Sequence, residues 1–451
     1  MSTPRAIVAG IGAVLVVGSF AGLSDASPFP GWRAALPSLG AILLLLAGAA
    51  GPNPVSRLLS STWLVAIGLV SYSAYLWHWP LVAFHRYAWG APHGFSRLAI
   101  GVLTAVLAWA SWRWVEQPAR RSNASLPRLL LRQWALPSVP IALLDAWSIA
   151  TGGLGPRALS QEYSAELARL RESGRMAGHA GLACDRKRLS ERDMADPHCL
   201  LGPPDAPAGV VLWGDSHAAH WVGLLDVFAR AGGFRFRNFD AYACAPVSGD
   251  PAPFVSADRL DDCVASQRVA LPALREAKVV ILAGAWPRYG ARRPFLDETL
   301  RLAGELAAQG RSVVLMGRVA KMPGWDGACR EKALSNPWLQ CPTERFEPLD
   351  PMVAPSNERL REFARATPGV SYFDPNDVLC ADPRGCTAFS EEGEPLYFDD
   401  SHLTLAGSRY VGEWILQDRG LPEPFASMAT DLRSAGAGAG EAVEPEGAVV
   451  P

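Results

Sequence analysis

The sequence predicts an all-α transmembrane segment of about five helices followed by an α/β three-layer parallel-sheet domain. Three observations predict it. Residues 1–150 hold long apolar runs with few charges. Beyond them, short β-branched runs alternate with amphipathic helical patterns, which is how a parallel sheet reads in sequence. All eight cysteines fall in that second part. The averages, 49% hydrophobic residues, 19% charged residues and a net charge of −2, conceal the split. A near-neutral chain without a clustered basic excess excludes nucleic acid as a partner.

The apolar stretches run over about 5–23, 34–50, 62–85, 95–115 and 129–150, the second short and the fifth interrupted by Pro137, Pro140 and Asp145. A cleaved signal peptide is the alternative for the first, but the further apolar stretches favour a retained helix. With the amino terminus inside, Arg57, Arg120, Arg121, Arg128 and Arg132 lie inside and Arg33, Arg86 and Arg97 outside, the expected positive-inside bias. Five crossings then deliver the second part to the far side of the membrane. His78 is the ionisable residue well inside its span: a functional group, or an imidazole bonded to a neighbouring helix.

In the second part, Val210 to Trp213 reads as a buried strand, Gly214-Asp215-Ser216 as a turn, and Leu224, Leu225 and Phe228 as the apolar side of the helix that follows. This exposes the Ser216 hydroxyl at the carboxyl edge of a sheet, next to helix N–H groups that favour negative charge. Phe234–Phe239, Val279–Gly284 and Ser312–Gly317 read as further strands, and Asp297–Gln309 and Asn357–Ala366 as helices. Downstream comes Asp399-Asp400-Ser401-His402, with Thr404 capping a helix to about Leu416. A serine hydroxyl needs an imidazole to take its proton, and that imidazole needs an acid to fix its tautomer. Asp399 and His402 supply both from one segment, with Asp400 as the competing acid. His217 and His220 read as helix-start packing or substrate contacts.

An even cysteine count in one extracytoplasmic part points to disulfides in an oxidising compartment. Zinc is the alternative, weakened by the lack of any CxxC pair. Pairing neighbours closes the shortest loops: Cys184–Cys199, Cys244–Cys263, Cys329–Cys341 and Cys380–Cys386. From residue 427 to 451 the composition turns to Ala, Gly, Glu and Pro and reads as a disordered tail. The expected domains are therefore 1–150, 151–426 and that tail.

The run SYSAYLWHWP from Ser71, followed by WVEQPAR from Trp114, resembles the closing two helices of membrane acyltransferase family 3 over about residues 60–121. Members of that family carry more helices, with early histidine and arginine–histidine groups implicated in handling the acyl donor, and residues 1–60 contain no histidine. The chain thus resembles the last third of such a domain. Three explanations stand: a misplaced start, helices supplied by another protein, or a lost donor step.

GDSH at Gly214 and DDSHL at Asp399 resemble the SGNH (GDSL-type) hydrolase superfamily. Position by position the resemblance implies Ser216 as nucleophile, His402 as general base and acid, and Asp399 as its orienter. That superfamily also has a glycine and an asparagine completing an oxyanion hole. Here Trp286 stands where the asparagine is expected, and Ala243-Cys244-Ala245-Pro246 offers no equivalent glycine. The Ser216 backbone N–H remains a donor.

Together the two resemblances match bacterial inner-membrane enzymes that O-acetylate cell-surface glycans. They imply a multi-pass membrane part passing an acyl group across the bilayer, with cytoplasmic acetyl-CoA as ultimate donor. A periplasmic part would pass it through Ser216 to a hydroxyl of a polysaccharide or lipopolysaccharide. No metal or bound cofactor is implied, and the partners would be the bilayer, the glycan and a protein supplying the missing helices. Two other readings remain: an esterase removing acetyl groups from glycans, and a non-enzymatic membrane-anchored carbohydrate-binding module.

Overall fold

The computed structural model describes residues 3–22, 32–90, 92–122, 124–151, 160–178, 184–286, 295–336, 339–351 and 353–437. The chain divides into two compact units, Met1–Ala150 and Thr151–Pro451.

In the first unit the apolar stretches are helical: Thr3–Gly22, Ala35–Ala49, Thr62–Trp89, a run from Gly94 to Arg120, and a run from Leu126 to Thr151. Among the described residues, Pro4–Gly22 and Gly94–Arg120 are long and apolar enough to cross a membrane, and Ala35–Ala49 is apolar but shorter. The last two runs each contain a π turn, at Trp112–Glu116 and Leu131–Ala135. Each turn is followed two residues later by a proline, Pro118 and Pro137. A proline ring clashes with the carbonyl four residues back, which falls inside each turn, and the wider π geometry relieves that clash. This is how the fifth stretch stays helical through Pro137. Large apolar side chains remain exposed on this unit, Trp63 at 83% and Phe84 at 72%. His78 is also exposed. The buried polar tie lies elsewhere: Ser73 donates to Glu116 across 3.0 Å, and Glu116 pairs with Arg120 at 2.7 Å.

The second unit is built on a mixed sheet. Its strands are β1 (Asp185–Arg186), β2 (Leu200–Leu201), β3 (Ala208–Gly214), β4 (Arg235–Ala241), β5 (Val279–Ala283), β6 (Ser312–Met316) and β8 (Val370–Phe373). A small antiparallel pair, β7 (Phe346–Glu347) with β9 (Cys386–Thr387), stands apart. The main order is β1-β4-β3-β5-β6-β8, with β2 also on β4. Those neighbours are parallel, as expected, except for β2, which runs antiparallel to β4. A two-residue strand is too short to show any periodicity, so this correction could not be read beforehand.

Successive strand residues point to opposite faces. Val210, Leu212, Ile281 and Val314 join one core, with Phe228, Val411 and Phe425 from the helices Val222–Gly232, Leu405–Arg419 and Phe425–Ala437. Val211, Trp213, Val280 and Leu315 join the other, with Leu274, Leu300 and Leu360 from Leu260–Glu276, Phe295–Ala308 and Val353–Ala366. Burial on both faces explains why these strands read as continuous apolar runs.

Two expectations are corrected. The helix expected straight after Ser216 is two helices, Ser216–Ala219 and Val222–Gly232, with His220 and Trp221 between them. The tail expected to be disordered from 427 begins as the helix Phe425–Ala437, because Phe425, Met428, Ala429 and Leu432 recur at helical spacing and are buried. Residues 438–451 lie outside the described residues. All four neighbouring cysteine pairs are joined as expected.

Candidate active site

Gly214 ends β3 between Asp240 of β4 and Ala283 of β5, so the turn leaves the sheet at its carboxyl edge, in the middle. Glycine is required there because a Cβ would lie on the Ala283 carbonyl oxygen. Asp215 is structural: one carboxylate oxygen accepts the His217 N–H at 2.8 Å and the other the Ala285 N–H at 3.0 Å. It caps the short helix and ties it to the segment after β5.

The structure brings Ser216, His402 and Asp399 together. Ser216 Oγ lies 2.9 Å from His402 Nε2. His402 Nδ1 lies 2.9 Å from each oxygen of Asp399. Asp399 also accepts the backbone N–H groups of Ser401 and His402, both at 2.8 Å. It is Asp399, not Asp400, whose carboxylate meets His402; the Asp400 backbone carbonyl accepts the Met322 N–H at 2.8 Å. Thr404 caps the next helix by accepting the Gly407 N–H at 2.8 Å. That helix is bonded to the one after Ser216 through Leu224 N–H to Ser408 Oγ, 2.9 Å and buried. The two chain segments that meet at the site are thereby held in register.

Burial alone would raise the Asp399 carboxyl. The hydrogen bond and charge of His402, with the two backbone N–H groups, outweigh it and hold Asp399 at about 2. It is ionised throughout the neutral range.

His217 and His220 are buried. The His217 ring sits 4.4 Å from that of His402 and 5.3 Å from that of His220. Their four ring nitrogens have no hydrogen-bond partner among the described residues, although His217 Nδ1 stands 3.5 Å from Asp215. Burial lowers His217 to about 4 against the pull of Asp215, with His402 and Arg318 adding to the fall. Burial also holds His220 well below its ordinary value, helped by the charges of His217, His402 and Arg318. Both rings are neutral beside His402.

The oxyanion region differs from simple expectation. The Trp286 indole, at the expected asparagine position, donates to the Met316 carbonyl at 2.9 Å and is committed there. In the segment that offers no equivalent glycine, Ala243 takes φ 55, in the left-handed region that favours glycine. Its loop leaves β4 at the same edge as Ser216 leaves β3. The loop is fixed by the Cys244–Cys263 disulfide and by Arg259, which donates to the Tyr242 carbonyl at 2.8 Å. The N–H groups of Ser216 and Ala243 have no partner among the described residues. An alanine carries no sequence signal for positive φ, which is why this position escaped the reading.

A mixed α/β sheet carrying a Ser–His–Asp chain at its carboxyl edge defines a domain of SGNH type. Residues 183–417 match the family described as the SGNH domain fused to AT3 domains, and the chain belongs to it. Its structure is similar to the periplasmic domain of a lipopolysaccharide acetyltransferase of Salmonella ser. Paratyphi A, at 15% identity and a TM-score of 0.41, covering 58% of this chain and 98% of that one. It is also similar to the C-terminal catalytic domain of Streptococcus pneumoniae peptidoglycan O-acetyltransferase A, at 16% identity and a TM-score of 0.24, covering 50% and 96%. No curated protein matches the chain.

Proposed function

We propose that the chain transfers an acyl group, acetyl by the family resemblance, to a hydroxyl of a cell-surface glycan through an acyl-serine intermediate. The observation that carries this is the unbroken chain from Ser216 Oγ to His402 to Asp399, 2.9 Å at each step. In the first half, Ser216 Oγ attacks the acyl carbonyl as His402 Nε2 takes its proton. The tetrahedral oxyanion faces the free N–H groups of Ser216 and Ala243. Collapse expels the donor's leaving group, which takes the proton from His402 and leaves acyl-Ser216. In the second half a sugar hydroxyl gives its proton to Nε2 and attacks the ester, and Ser216 leaves with that proton restored. Asp399 keeps Nδ1 protonated throughout, so Nε2 is free to accept. No metal or bound cofactor enters these steps.

The apolar first unit supports a membrane anchor of several helices in the bacterial inner membrane, with the SGNH domain on the periplasmic side. The disulfides and the loop charges support that side. Acetyl-CoA would be the ultimate donor.

The test uses the full chain in detergent, an activated acetyl ester and candidate surface oligosaccharides, with Ser216→Ala as control. Ser216-dependent acetyl that reaches sugar faster than water supports the transferase. Release to water alone would make the chain an esterase. Absence of any Ser216-dependent adduct would leave a carbohydrate-binding module.

A further inference from the structure

A cleft of about 370 Å³ opens beside Asp399, between the segment 170–175, the segment 325–331 and the loop that carries Asp399. The larger cleft, about 680 Å³, follows β8, three strands from β3, and touches none of Ser216, His402 or Asp399.

We propose that the cleft beside Asp399 is the subsite for an uncharged sugar residue adjoining the one that is acylated. This rests on the glycan acyltransfer reading above. Three features of the cleft carry it.

First, its walls are bonded to the loop that holds Asp399 and His402. Leu405 N–H donates to the Arg175 carbonyl at 2.8 Å, and the Trp325 indole donates to the Tyr397 carbonyl at 2.8 Å. Gly327 packs so closely that a Cβ there would meet the Phe398 carbonyl oxygen. An occupant is therefore placed in fixed relation to His402.

Second, the distance suits a neighbouring residue. Asp399 lines the cleft, and Ser216 Oγ lies beyond it by one imidazole ring and two hydrogen bonds. That is longer than one sugar ring and within the reach of a disaccharide, so the reacting hydroxyl sits at Ser216 while the next residue fills the cleft.

Third, the lining chemistry selects neutral sugar. Trp325 and Phe398 supply aromatic surface for the C–H face of a pyranose, and Phe398 is 36% exposed. The cations are each held by a carboxylate: Arg171 by Glu331 at 2.8 Å, Arg175 by Glu172 at 2.9 Å, and Arg330 by Glu394 at 2.7 Å. Such pairs offer donors and acceptors to hydroxyl groups. Asp326 is itself paired with Lys332 at 2.7 Å, so Asp399 leaves the lining with a net negative charge, and an anionic sugar meets repulsion without an uncommitted cation to offset it.

The test is calorimetric titration of the full-length Ser216→Ala chain in detergent. The probes are maltose, cellobiose, diacetylchitobiose, their monosaccharides, and a glucuronate-containing hyaluronan disaccharide. The expected result is that at least one neutral disaccharide binds about tenfold more tightly than its monosaccharide, and that Phe398→Ala removes about tenfold of that affinity. Ala328→Trp, which fills the cleft from an exposed lining position, is expected to abolish binding. The proposal is overturned if no neutral disaccharide binds. It is equally overturned if the hyaluronan disaccharide binds as tightly, or if both variants bind like their parent. Because this chain cannot be acylated on residue 216, the result is independent of whether acyl transfer occurs.

Discussion

Replacing Asp399 by asparagine reverses the hydrogen-bond logic of the site without changing its shape. In the native loop one Asp399 oxygen is fixed by the N–H groups of Ser401 and His402, both at 2.8 Å. The asparagine carbonyl must keep that place, since an amide NH₂ there would face two donors. Its NH₂ group then occupies the position of the second oxygen, 2.9 Å from His402 Nδ1. Nδ1–H would then share its place with the amide hydrogens and keep only the carbonyl, already engaged by two N–H groups, as acceptor, which favours the tautomer with Nδ1 accepting and the ring proton on Nε2. Nε2–H then points at Ser216 Oγ and cannot take its proton. Wrong-tautomer replacement in a Ser–His–Asp site costs about 10⁴ in rate, which is about 5 kcal/mol of barrier. The assay is the burst of nitrophenol release from nitrophenyl acetate by the full chain, with the thermal melt as a folding control. Asp400→Asn, which keeps the backbone bond to Met322, is expected to stay within about twofold. An Asp399→Asn chain keeping a tenth of the burst rate, or an Asp400→Asn chain losing as much, would refute the reasoning.

Acid should destabilise the fold through the buried histidines. Their folded values lie below the ordinary 6.5, so between 6.5 and about 4 the unfolded chain takes protons that the folded chain refuses. Stability is full above 6.5 and falls with pH across that window, by up to about 1.4 kcal/mol per pH unit for each ring. Melts at several pH values should show a shallower acid decline for His217→Gln with His220→Gln, and an unchanged decline would contradict the burial argument. Asp399, held at about 2, contributes no titration to an activity profile above about pH 4. Removing the Cys244–Cys263 bridge, with a separation of 19 residues, should cost about 3 kcal/mol and lower the burst rate by freeing the Ala243 loop. Removing Cys329–Cys341 should cost stability with less loss of rate. Leu432→Ala, in the helix beyond 425, should cost about 2–5 kcal/mol in the melt if that helix seals the core. A neutral result would return the segment to the tail.

The sequence spoke most clearly where several local signals coincided. The run Val210 to Trp213 is a strand bounded by glycine and buried on both faces, and Thr404 is a cap followed by an amphipathic helix, so both could be placed to within a few residues. The SGNH resemblance pointed to Asp399 over Asp400, and in the structure it is the Asp399 carboxylate that meets Nδ1. What stayed hidden depends on tertiary context. Ala243 carries a backbone conformation that its side chain does not advertise. The role of Asp215 as a two-sided acceptor requires Ala285, which arrives from a different strand. The helix Phe425–Ala437 was masked by its Ala and Gly content, although Phe425, Met428 and Leu432 already spelled an apolar face. In the first unit His78 is exposed, whereas a part-buried polar link joins Ser73 to Glu116, two residues inside the very motifs that carry the family resemblance.

The central claim is that Ser216 carries the acyl group, and rapid-quench mass analysis of the peptide containing it tests that most directly. The account predicts a gain of one acetyl group on Ser216 within the burst, lost again when a glycan acceptor is added, with acetyl appearing on sugar in equal amount. The modification should be absent in Ser216→Ala and in His402→Ala. An acetyl group found on another residue, or none on Ser216 while sugar is still acetylated, would contradict the account.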